Sequence, residues 1–173
     1  DDDIQQIFRE LGLYSPHPNE HTQLWWNRAR NFVRYEEGIE NTSTGDKGEI
    51  ESYRYELART GITPTLVAQE SENYGYDLES VVDSQNLEPI YIEIKSSKIH
   101  WSRARMFFSS GEYKVMRKHP KKYRFHLWDL SDKSNPRLLV VKSVDVQKHI
   151  PSNTRRGEWR SVEIPFSAFD WEE

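Results

Sequence analysis

Apolar and polar residues alternate strictly over Pro89–Ser97, with Ile90, Ile92 and Ile94 on one side and Tyr91, Glu93 and Lys95 on the other. A period of two predicts a β-strand, because successive side chains point to opposite faces, and β-branched isoleucines suit its buried side. Similar short runs predict strands over 65–69, 76–82, 106–108, 123–130, 137–142 and 159–164. In the 123–130 run, Tyr123, Phe125 and Leu127 oppose Arg124, His126 and Trp128. Elsewhere the period is helical. Ile4, Ile7, Phe8 and Leu11 predict a first helix stopped at Gly12, and Leu24, Trp25, Ala29, Phe32 and Val33 stripe a second over 20–37. A third helix opens near Asp46, with Glu49 three later as in a capping box, and ends at Gly61. A fourth, basic helix is capped by Ser109 with Glu112, runs through Lys118 and stops at Pro120.

The elements therefore predict an α/β (α+β) chain: a central mixed sheet flanked by helices, preceded by a helical extension over 1–40 that packs on the core of 41–173. Length agrees, since 173 residues bury roughly 70% of their unfolded surface as one domain. Charged residues are 30% of the chain and mean hydropathy is −0.89, and no apolar run nears a membrane span. No signal-peptide pattern opens the sequence and cysteine is absent, which together predict a cytoplasmic protein without disulfides or thiolate metal sites. His17 and His21 have a metal-like spacing, but Pro18 between them argues against a zinc site.

The candidate chemistry lies on the polar side of the 89–97 strand. Glu93 and Lys95 project the same way from a rigid element, placing a carboxylate beside an amine. Upstream, Asp77 opens the preceding strand, and the turn formers of 83–89 predict a hairpin. Folding about Asn86 pairs position i with 172 minus i, so Asp77 faces Lys95 and lies diagonal to Glu93. Diagonal neighbours are roughly 7–8 Å apart at the backbone, close enough for two carboxylates to share one ion. Asp, a hairpin and Glu-x-Lys form the PD-(D/E)xK nuclease signature, here Asp77 with Glu93-Ile94-Lys95. The plainer alternative is a surface Glu–Lys pair and a turn aspartate. Glu49 has two readings, a helix cap or a third acidic group of the site, and so does Glu112, a cap or part of the rim.

The overall charge of −4 conceals a partition. Residues 1–94 carry a balance of −12, residues 95–160 one of +12, and residues 161–173 one of −4. Localised positive charge just after the Glu-x-Lys strand suits a polyanionic partner, although a solvated lysine-rich surface has the same composition.

Several segments together resemble one family: Thr44-Gly45-Asp46-Lys47-Gly48-Glu49 with Tyr55-Glu56, Gly75-Tyr76-Asp77 with Ser80, Ile92-Glu93-Ile94-Lys95-Ser96-Ser97, Glu112-Tyr113, and Tyr123-Arg124-Phe125-His126-Leu127-Trp128. Across about residues 22–169 the chain resembles the domain at the C-terminus of plant NO VEIN proteins, found also in bacterial restriction and defence-associated proteins. That domain is placed in the PD-(D/E)xK superfamily, where Tyr76 stands at the position of the usual proline. The resemblance implies a restriction-endonuclease-like core that hydrolyses DNA with Mg²⁺, or Mn²⁺ as a substitute. It implies Asp77 and Glu93 as metal ligands, helped by the Ile94 carbonyl, with Lys95 orienting or deprotonating the attacking water. Glu49 would hold a metal-bound water or second ion, and Glu112 and Tyr123 would line the rim. Lys98, Arg103, Arg105, Lys114, Lys118, Lys121 and Lys122 would grip the phosphodiester backbone, and Trp101 would stack on a base or lie buried. A helicase or ATPase domain and a second copy of the chain are the implied protein partners. An inactive nuclease-fold module that binds DNA or a protein is the alternative.

Overall fold

The computed structural model describes residues 2–10, 44–67, 74–152 and 159–171. The chain divides into two compact units, Asp1–Glu40 and Asn41–Glu173. In the first unit the stripe of Ile4, Ile7 and Phe8 forms helix α1 (Asp2–Glu10), where Gln6 Nε2 donates to Glu10 Oε1 one turn on at 3.0 Å. Leu11, Gly12, the expected helix over 20–37 and the His17–His21 pair lie outside the described residues.

The second unit runs α2 (Thr44–Thr60), β1 (Thr65–Leu66), β2 (Leu78–Val81), β3 (Pro89–Ser97), β4 (Arg105–Ser109), α3 (Ser110–Lys118), β5 (Tyr123–Asp129), β6 (Arg137–Lys142), α4 (Ser143–Gln147), β7 (Ser161–Pro165) and a 3₁₀ turn (Phe166–Ala168). Five strands form a mixed sheet in the order β1-β2-β3-β5-β6, and β4 pairs with β7 in a second, two-stranded sheet. Strands β3 and β5 are parallel, the other neighbours antiparallel. Parallel neighbours need a long crossover, supplied here by β4 and α3. This is the mixed α+β class expected from the sequence. Among the described residues no helix is long and apolar enough to cross a membrane.

Both faces of the central sheet are covered. Helix α2 lies on the Ile90–Ile92–Ile94 face, and a Cβ added at Gly48 would stand 2.9 Å from Ser96 Cβ and 3.2 Å from Ile94 Cγ2. Glycine lets the helix backbone approach that closely, and Ser96 Oγ donates to Thr44 O at 2.8 Å across the same contact. On the other face, Tyr123, Phe125 and Leu127 join Phe108, Met116, Ile164 and Phe166 in the core. Glu93 is therefore buried although its strand alternates like one with a solvated side.

The hairpin register differs from expectation by two residues. Leu78 pairs with Ile92 and Val81 with Pro89, so position i faces 170 minus i. The turn closes early because Asp83 Oδ1 accepts both Gln85 N and Asn86 N at 2.8 Å, an Asx turn that draws the bend toward Asp83. A shift of two keeps every side chain on its face. It places Asp77 in line with Glu93 rather than Lys95, and Asp77 N donates to Ile92 O at 2.9 Å. Helix α2 begins at Thr44, so Asp46 lies inside its first turn and is not its cap. Gly61, at φ +69°, closes the helix as expected, its N–H donating to Leu57 O.

Candidate active site

Strand β3 delivers Glu93 and Lys95 to one face, and the loop before β2 delivers Asp77 beside them. Asp77 Oδ2 accepts Ile94 N at 2.7 Å, which fixes the carboxylate against the β3 backbone. Lys95 Nζ lies 2.6 Å from Glu93 Oε1 and 2.9 Å from Glu112 Oε1. Glu112 reaches this point from the first turn of α3 while completing the capping box with Ser109. Tyr123, at the start of β5, donates its hydroxyl to Gly75 O at 2.6 Å and lies 3.2 Å from Glu93 Oε2. It ties the loop carrying Asp77 to the strand carrying Glu93. Gly75, at φ +65°, sits where a Cβ would stand 2.7 Å from Val115 Cγ2, so the loop and α3 approach closely beside Asp77.

Three carboxylates against one ammonium leave this pocket with two uncompensated negative charges. Burial pushes the Glu93 carboxyl well above its ordinary value, the charge of Asp77 pushes the same way, and Lys95 opposes both. Burial likewise raises Asp77 against the opposing Ile94 N–H and Lys95. Glu112 resists its own burial and is lowered by Lys95, Glu93 and the Ser109 N–H. Burial disfavours the Lys95 ammonium, yet Glu93 and Glu112 outweigh it and raise the amine. The cluster thus holds a permanent ammonium, an ionised Glu112, and a Glu93 that is the first to take up a proton. The Tyr123 hydroxyl is raised by burial first, then by the same carboxylates, and stays a donor.

The other expected residues fall elsewhere. Glu49 is half-buried on α2, next to Gly48, on the helix that covers the isoleucine face. Lys98 and Arg103 are exposed beyond the C-terminal end of β3, and Arg105, at the start of β4, pairs with Glu163 at 3.4 Å. Lys114 and Lys118 are exposed on α3, and Lys121 and Lys122 stand on the turn into β5, with Lys122 3.4 Å from Glu88. Lys122 O accepts Tyr91 N, which puts that turn near the N-terminal half of β3. Lys121 and Lys122 therefore stand toward the N-terminal end of β3, and Lys98 just past its C-terminal end. Trp101 is half-buried, packs against the core and stacks on Trp171 at 5.6 Å.

One polar cluster has no counterpart in the sequence reading. On the α2 side of the sheet, Trp128 Nε1 donates to Ser52 Oγ at 2.7 Å, and Ser52 Oγ lies 3.1 Å from His126 Nδ1. His126 Nε2 is 3.5 Å from Glu56, which Arg59 grips with two nitrogens. All but Arg59 are buried, so the cluster joins helix to sheet and has no access for a substrate.

The family described as Protein NO VEIN, C-terminal, matches residues 48–141. That span is more than half the chain. The chain belongs to the NO VEIN C-terminal family. No curated protein and no solved structure gives a significant match. The NO VEIN match begins at the Gly48 contact of α2, ends in β6, and contains Asp77, Glu93, Lys95, Glu112 and Tyr123.

Proposed function

We propose that this chain is a Mg²⁺-dependent endonuclease domain of the PD-(D/E)xK type, hydrolysing DNA phosphodiester bonds within a larger restriction or phage-defence protein. The observation that carries the proposal is the convergence of Asp77, Glu93 and the Lys95 ammonium on one face of β3. The donor set suits a hard divalent cation: carboxylate oxygens, no sulfur or imidazole, and two negative charges in excess. Among the described residues no group of three His, Asp or Glu side chains is arranged as a metal cage, and two carboxylates with a backbone carbonyl suffice for magnesium, which keeps several waters. Asp77 and Glu93 would hold the ion, with Mn²⁺ as a substitute. When bound, the metal would polarise the scissile phosphate and supply the attacking hydroxide.

The protein's own groups do the rest. Lys95, held as an ammonium between Glu93 and Glu112, would present positive charge to the phosphate as negative charge grows there. Glu112 holds that ammonium in place, and Tyr123 keeps the Asp77 loop against β3. The exposed cations on α3 and after β3 attract the phosphodiester backbone, and a helicase or ATPase domain would bring DNA to the site.

A second reading, an inactive nuclease fold that binds DNA or a partner protein, is favoured by the commitment of Lys95 to two carboxylates. Plasmid cleavage separates them. The enzyme nicks DNA with Mg²⁺ or Mn²⁺, stops in EDTA, and loses activity in Lys95→Ala. Cleavage that persists in EDTA or survives the substitution removes the proposal, and binding without strand breaks under either metal establishes the second reading.

A further inference from the structure

Four rings form a continuous ladder beside the carboxylates. Tyr74 meets Tyr76 edge-on at 6.1 Å, Tyr76 lies tilted on Tyr91 at 4.7 Å, and Tyr91 meets His119 at 4.9 Å. The ladder runs directly into the site, because Tyr76 precedes Asp77 and Tyr91 shares its face of β3 with Glu93. It is open to solvent at one end, where Tyr74 is 53% exposed, and half-buried at the other three rings. Burial alone explains Tyr76 and Tyr91, which lean on the core; it does not explain a tyrosine left exposed at the end of the row.

Three lysines lie next to the other end in sequence. Lys118 precedes His119, and Lys121 and Lys122 follow it on a turn tied back by Lys122 N donating to His119 O. Among the described residues no carboxylate pairs with Lys118 or Lys121. The nearby acids are engaged, Glu79 accepting the Tyr76 hydroxyl at 3.2 Å and Glu88 facing Lys122. Aromatic faces flanked by free ammonium groups are the components of a single-strand platform, where bases stack on rings and phosphates lie on cations. A duplex cannot use such rings, because its bases are already stacked on one another.

We propose that the Tyr74–Tyr76–Tyr91–His119 ladder, with Lys118 and Lys121, binds single-stranded DNA and feeds an unpaired strand to the carboxylates. The inference rests on the nuclease proposal for the direction of feeding, but the binding stands apart from it.

The test is binding in EDTA, where no cleavage occurs, of a fluorescent oligo(dT) 20-mer and of a 20-base-pair duplex to the full chain. The single strand binds more tightly than the duplex. Tyr74→Ala weakens the single strand by about 5- to 160-fold, the range for one lost base stack, and leaves the duplex unchanged, while Tyr74→Phe retains affinity because the ring remains. Tyr74 is exposed at a loop, so the variant folds, and circular dichroism confirms it. Equal affinity for the two DNAs, or a Tyr74→Ala variant that binds the single strand like the wild type, overturns the proposal. Absence of binding to either DNA at low salt overturns it too. Intact single-strand binding with no metal-dependent cleavage sinks the nuclease proposal and leaves this one standing.

Discussion

Replacing Lys95 by methionine keeps the unbranched stem of the side chain, one atom shorter, and removes its charge. Glu93, 3% exposed, and Glu112, about a fifth exposed, then face each other and Asp77 with no cation between them. Removing one partner of a buried pair costs about 3–5 kcal/mol. The partial exposure of Lys95 and Glu112 screens part of this, so about 3 kcal/mol is expected at pH 8. For a chain of this size that lowers Tm by about 6–12 °C. The loss must depend on pH with a definite sign. Asp77 and Glu93 have folded pKa values raised above their ordinary 3.8 and 4.5. Their stability contribution is full below those values and falls as pH rises through the raised ones. Lys95 opposes the rise in both, so without it the fall is steeper and the variant loses more at pH 8 than at pH 5. Urea melts at the two pH values measure this. In the double variant Lys95→Met with Glu112→Gln, one orphaned charge is gone and part of the stability returns. A loss of equal size at pH 5 and pH 8, or strict additivity in the double variant, would refute the picture of a shared ammonium.

His126 titrates in the opposite sense. Its pKa is lowered from 6.5 to about 4, chiefly by burial, so stability present above pH 6.5 is lost as pH falls toward 4, by about 3 kcal/mol. His126→Gln should flatten that slope in denaturant melts, and an unchanged slope would show that the ring is not buried neutral. Tyr123→Phe leaves Gly75 O without its hydroxyl donor, and a loss of about 1–2 kcal/mol is expected in the same assay; a neutral substitution would mean the bond is not formed. Gly48→Ala tests the packing of α2. Helix propensity alone predicts a gain of about 1 kcal/mol, but the new Cβ would meet Ser96 Oγ at 2.8 Å, an overpacking loss of about 1–3 kcal/mol. A net loss, relieved by Ser96→Gly, supports the close contact, whereas a net gain shows that the helix sits further from the sheet.

Wherever one residue's neighbours along the chain settle its state, the pattern was readable in advance. The bounds read at 89–97 and 137–142 match β3 and β6, the first because alternation with a period of two is itself the mark of a strand. Ser109 and Glu112 read as a capping box because both partners lie within one turn. The opposed sides of β5 held for the same reason. Helix α4 escaped notice, since five residues with only Ser143 and Val146 buried leave too short a stripe to register.

What lay beyond the chain's local pattern was every distance set by folding back. The hairpin register turned on one Asp83 side chain capturing two amides. The parallel pairing of β3 with β5 carried Tyr123 to Glu93 across 30 residues, and the crossover helix returned Glu112 to Lys95 across 17. Ser52 and His126, 74 residues apart, met only because α2 lies on the sheet. Residue types and their order name a carboxylate, an amine and a turn. Burial of both sheet faces is what raises Glu93 toward its protonated form, and the carboxylates folded around Lys95 are what keep its charge against that burial, since the energy of an ion depends on what surrounds it and not on its place in the chain.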